Sequence, residues 1–177
     1  MRQVLFGLMQ ENGHYVDDEV LHTLFCEAEH IVNSRPLTTD SSDPSDPRPL
    51  SPNDVLIMKP HVLLPFPGSF DKPDLYTRKR WRRVQYLMDV FWYRWRREFL
   101  AARQERSKWV QRVPNVKVGD IVLIKEDSPR NCWPLARVTA VTGSDDGCVR
   151  SVTLKTKSST LHRPIHKILV LIHNLSD

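Results

Sequence analysis

No stretch of this sequence approaches the roughly 18 apolar residues that a helix needs to cross a bilayer; the longest uninterrupted run is Ile168 to Ile172. The N-terminus lacks the charged, apolar and small-residue succession of a secretory signal. Both absences argue against membrane insertion and secretion. Cysteine is sparse and odd in number, and Cys26, Cys132 and Cys148 lie too far apart for a zinc knuckle or a disulfide framework. That usage suits a reducing interior, either nucleus or cytoplasm. His22, Cys26 and His30 share a helical face, yet no second Cys or His pair completes a tetrahedral zinc site. The acids Asp40, Asp43 and Asp46 sit among prolines that oppose a compact coordinating loop, so they read as a solvated acidic run. No nucleophile motif accompanies the Ser, His and acidic residues, and none of them forms a triad by pattern. No cofactor is implied.

Acids are almost missing from one segment. Residues 78–112 hold twelve Lys or Arg against three acids, a net of +9. Residues 1–77 hold five bases and twelve acids (−7), and residues 113–177 nine bases and six acids (+3). The overall +5 conceals this division. A concentrated cationic stretch attracts polyphosphates and gains free energy by releasing their counterions.

Periodicity divides the chain into four parts and predicts an α+β fold. In 1–35, residues 2–11 read as a helix closed by Asn12 and Gly13. Asp17 or Asp18 caps a second helix whose Val20, Leu21, Leu24, Phe25, Ala28, Ile31 and Val32 recur at spacings of three and four. Pro36 stops that helix. Residues 36–73 carry nine of the thirteen prolines and read as an extended linker, interrupted by a short helix beginning at Ser51, Pro52, Asn53 and Asp54. Residues 74–112 read as one long amphipathic helix, on the order of 50 Å, with an apolar stripe of Trp81, Val84, Met88, Phe91, Trp92, Trp95, Phe99 and Ala102. Tryptophans at that spacing predict core packing in preference to base stacking. Residues 113–177 switch to short β segments at 121–125, 135–141, 149–155 and 168–172, with a hairpin signal at Asp146 and Gly147, which predicts a small barrel or sheet.

HIVNSRPLT at 30–38 with PLSPN at 49–53, FWYRWRREFL at 91–100 with QERSKW at 104–109, and VGDIVLIKED at 118–127 with PRNCWPLARV at 129–138 occur in this order. Together they resemble the C-terminal part of integrases from Pao/BEL-type LTR retrotransposons. The resemblance implies the end of an RNase H-like catalytic core in 1–35 and a C-terminal SH3-like barrel that binds DNA. It places the two Asp strands of the core's two-Asp, one-Glu metal site before Met1, and the Gly-Gly-Val-Trp-Glu-Arg type stretch around the Glu is not in this sequence. No catalytic residue and no metal site is therefore carried over, and the expectation is DNA binding without cutting or joining.

The expected phosphate contacts are Arg78, Lys79, Arg82, Arg83, Arg94 and Arg97 on the helix and Lys125, Arg130 and Arg137 in the barrel. The expected partner is DNA, with a second copy of the chain as a further possibility and no small-molecule substrate. Arg78 to Arg83 (RKRWRR) also has the form of a nuclear-localisation signal. Trp133 reads as core in preference to a recognition aromatic. Two other function classes fit less closely. One is a domesticated protein-interaction module meeting a chromatin or assembly partner. The other is a metal-dependent nuclease using Glu19, Glu27 and Glu29, which the helical pattern turns toward solvent.

Overall fold

The computed structural model of the chain describes residues 2–39, 49–58, 66–103, 115–143 and 147–173. Two helices open it, α1 (Arg2–Asn12) and α2 (Asp18–Asn33). Asp17 caps α2 by accepting from the Val20 N–H at 2.9 Å, and Asp18 and Glu19 complement the helix dipole in its first turn. Val20, Leu24, Ala28 and Ile31 form its buried face. At its C-terminal end the Ser34 hydroxyl donates to the His30 carbonyl at 2.8 Å, after which Pro36 prevents continuation.

The described parts of 36–73 contain the short helix expected within the linker and, in addition, a short strand pair and a 3-10 turn. Strands β1 (Thr38–Thr39) and β2 (Pro49–Leu50) pair antiparallel, and α3 (Pro52–Ile57) follows behind a capping box of Ser51 and Asp54. Asn53 is buried and donates to the Ser34 hydroxyl at 3.0 Å. The sequence stretches HIVNSRPLT and PLSPN are thus two halves of one junction, clasped by Asn53 and by the short strand pair.

A 3-10 turn (Lys72–Tyr76) leads into α4 (Arg80–Arg103), 24 residues and about 36 Å long. The expected helix spanned 74–112; residues 104–112 lie outside the described residues. Val84, Leu87, Met88, Phe91, Trp92 and Trp95 of α4 share one core with Val4 and Leu8 of α1 and the buried face of α2. The tryptophan stripe is core packing, as expected, except for Trp81, which lies half-exposed with its ring edge-on to Phe66 and Phe70.

Beyond α4 a five-stranded antiparallel sheet is formed by β3 (Ile121–Ile124), β4 (Leu135–Gly143), β5 (Val149–Lys155), β6 (Thr160–Pro164) and β7 (Ile168–Ile172), in the order β6-β5-β4-β3-β7. It does not close into a barrel, since β6 and β7 remain its two edges. Gly119, at φ 94, makes the turn into β3 that a side chain would strain. Alternation along β3 sends side chains to two cores. Val122 and Ile124 join Ala136, Val138, Val152, Leu154 and Ile168, while Leu123 joins Leu135 and Leu169 on the side where Leu100 and Trp133 pack. Trp133 lies partly buried against Trp92, Trp95 and Phe99, with ring centroids 5.0, 5.9 and 5.4 Å away. It locks the sheet to α4.

Bidentate ion pairs from Arg82 and Arg94 tie α4 to preceding segments. Arg94 bonds Glu11 of α1 through its Nη1 and Nη2 (3.0 and 2.6 Å), and Arg82 bonds the buried Asp74 at 2.6 and 3.1 Å. Hydrogen bonding to these arginines holds both carboxyls below their ordinary pKa. A lowered folded pKa gives stability that is present above the ordinary carboxylate range and disappears as pH falls through the folded values. The double variant Arg82→Gln, Arg94→Gln should therefore melt below the parent at about pH 7, with the gap closing toward about pH 2. A pH-independent gap in thermal melts would show that these pairs are not its source.

Candidate nucleic-acid interface

The basic face of α4 is mostly occupied from within. Besides Arg82 and Arg94, Arg80 pairs with Asp17 at 3.0 Å and also reaches Glu19. Arg83 gives its guanidinium to three backbone carbonyls, of Leu75, Tyr15 and Thr77, at 3.0, 2.8 and 2.8 Å. The acidic surplus of residues 1–77 has found the basic surplus of α4. Part of the charge asymmetry along this chain thus serves to dock its own segments, with Glu11, Asp17, Glu19 and Asp74 against Arg80, Arg82 and Arg94.

Arg130, expected at phosphates, is instead buried between α4 and the sheet. It donates to the side-chain oxygen of the buried Gln85 and lies 3.5 Å from Asp89. The reason is local: residues 125–134 between β3 and β4 fold back onto α4, where Trp92 Nε1 donates to the Ser128 carbonyl at 3.1 Å. Arg137 is half-buried in β4, with its Nε enclosed and lacking a described partner. Arg78 and Lys79 are exposed just ahead of α4, and neither pairs with a described acid.

Arg97 and Lys125 come together. Arg97 is exposed on α4 and forms no ion pair among the described residues. Lys125 follows β3, and its ammonium donates to the His166 carbonyl at 3.2 Å. Both line a cleft of about 280 Å³ between α4 and the residues after β3, together with Arg96, Tyr93, Leu100 and Asp127. Arg96, absent from the expected contacts, is 7% exposed, bonds the Glu126 carbonyl and faces the exposed Asp127 at 3.8 Å. Burial pushes the Arg96 and Lys125 pKa values down, and at Arg96 the nearby Asp127 works against that shift. Three cations against one acid leave this cleft positive. Asp89, Tyr93 and Arg97 recur at every fourth residue, so their common face was readable from spacing alone; Arg96 lies where the stripe predicts apolar surface and gave no such signal.

Among the described residues no group of three His, Cys, Asp or Glu is placed to hold a metal. Cys26 Sγ and His22 Nε2 lie 4.0 Å apart, whereas His30 turns toward Ser34 and Asn53. No helix among the described residues is long and apolar enough to cross a membrane.

A buttressing helix, an open antiparallel sheet and a cleft at their seam lined by three cations and one acid define an α+β module. The matching family has the same span: its pattern covers residues 79–171, from the start of α4 to β7. The chain belongs to this family, DUF5641, described as a family of unknown function. No curated protein and no solved structure matches the chain.

Proposed function

We propose that this chain is a nucleic-acid-binding region of the retrotransposon-integrase type, holding DNA through phosphates and carrying out no phosphoryl transfer by its own residues. The observation that carries this reading is the convergence of Arg96, Arg97 and Lys125 on one cleft against the single acid Asp127. A sheet in which the last strand lies beside the first, preceded by a 3-10 turn (Ile165–Lys167), supports an SH3-like ancestry, with β6 and β7 left unjoined. The packing of α1 and α2 against α4 agrees with these helices being the end of an RNase H-like core. Arg78 and Lys79 remain available as secondary phosphate contacts and as part of a nuclear-localisation signal.

Binding of a labelled DNA duplex to the full chain tests the reading. At about 50 mM salt a measurable affinity is expected, weakened roughly tenfold or more by Arg97→Ser with Lys125→Ser. No binding at that salt would overturn it. A protein-interaction role is favoured by one other feature, the apolar end of α3, where Val55, Leu56 and Met58 are 65, 68 and 88% exposed. That role predicts negligible affinity for plain duplex DNA.

A further inference from the structure

We propose that the cationic cleft and its neighbour form a two-part site for an unpaired guanine nucleotide of a single-stranded nucleic acid, the phosphate lying at Arg97 and Lys125 and the base beyond Tyr93. This rests on the nucleic-acid reading above and specifies the substrate form that the site selects.

The neighbouring cleft, of about 400 Å³, is lined by Phe66, Phe70, Tyr93 and Pro129, with Asp89 and Arg130 in its wall. The two clefts share Trp92, Tyr93, Asp127 and Ser128, so a ligand can continue from one into the other. Tyr93 is 52% exposed and Phe66 54%, whereas Phe91, Trp92 and Trp95 beside them on α4 are buried. Core packing thus accounts for Trp92 and Trp95 and leaves the faces of Tyr93 and of Phe66, whose ring meets Trp81 edge-on, at the rim of a mostly apolar cleft adjoining a positive one. That pairing complements a nucleotide, whose base stacks on aromatic faces and whose phosphate seeks cations. A base stacked and paired within a duplex cannot enter such a cleft; an unpaired one can.

Asp89 supplies the preference among bases. Its carboxylate projects from α4 one turn before Tyr93 and is held by Arg130 at 3.5 Å, with 42% of the side chain still exposed. Burial raises the pKa of this carboxyl and the nearby Arg130 favours its ionised form, in which it only accepts hydrogen bonds. Guanine offers it two adjacent donors, N1–H and the 2-amino group. Adenine and cytosine offer one donor group, the exocyclic amine, and thymine one imino N–H between two carbonyls, so none of them can satisfy both carboxylate oxygens as guanine does.

The test measures anisotropy with the full chain and three labelled ligands: an all-thymine single strand, the same strand with one central guanine, and a duplex. The guanine strand should bind about tenfold more tightly than the all-thymine strand. Asp89→Asn, which turns one acceptor into a donor, should reduce that ratio to near one. Tyr93→Ser should weaken both single strands more than the duplex, while Tyr93→Phe, which keeps the ring, retains the ratio. Melting temperatures of the variants identify any that fail to fold. Equal affinity for the two single strands, or a guanine ratio that survives Asp89→Asn, overturns the proposal while leaving duplex binding in place. Absence of binding to all three ligands overturns the nucleic-acid reading itself.

Discussion

Arg130→Ala is expected to lower the folding free energy by about 3 kcal/mol, as measured by chemical denaturation. Arg130 is 4% exposed, and its removal leaves the buried Gln85 side chain without its donor and Asp89 without its nearby cation. Deleting one member of a buried polar set costs the desolvation of those that remain, whereas replacing the set with apolar groups of similar shape is much less harmful. Arg130→Met combined with Gln85→Met should accordingly recover most of the loss. An alanine variant as stable as the parent would mean that this arginine does not hold the sheet to α4.

Trp92→Ala should cost about 4 kcal/mol, the largest effect expected of any single substitution here. Its ring touches Trp95 of α4 and Trp133 of the sheet module, and its Nε1 donates to the Ser128 carbonyl at 3.1 Å. Truncation leaves a cavity at the meeting point of the helical core and the sheet and strands the Ser128 carbonyl. Trp92→Phe, which keeps much of the volume and loses the donor, should cost less than half as much. A loss below about 1 kcal/mol for the alanine variant would show that the seam is not part of the cooperative core.

Much of the architecture was legible in local pattern. Spacings of three and four gave α2 and α4, Ser51-Pro-Asn-Asp gave the start of α3, and runs of Val, Ile and Leu gave β3, β4, β5 and β7. Strand β6 was not legible, because TLHRP is a half-exposed edge segment with a single aliphatic residue, too little to mark a strand in the sequence. Nor was the open sheet, since closure depends on how the edges meet and not on any one strand.

The site was legible only in its raw materials. Twelve bases against three acids mark residues 78–112, but the pattern does not show where the charge goes. Arg94 meets Glu11, 83 residues away, and Arg80 meets Glu19, 61 away; such pairings follow from tertiary packing and leave no local periodicity. The acidic surplus of residues 1–77 was the available clue, and it reads as complementarity once α1 and α2 are seen to lie against α4. Arg130 was misplaced for a related reason: a cation in a loop rich in polar residues looks solvated until the loop folds onto a helix.

The most direct measurement is the slope of log affinity against log salt for duplex DNA, compared between two double variants of the full chain. Each lost phosphate contact should reduce the slope by about 0.9. Arg97→Ser with Lys125→Ser should therefore flatten it by nearly 2, and Arg82→Gln with Arg94→Gln, whose guanidinium groups already face Asp74 and Glu11, should leave it unchanged. The reverse pattern, a slope that depends on Arg82 and Arg94 and ignores Arg97 and Lys125, would contradict the account.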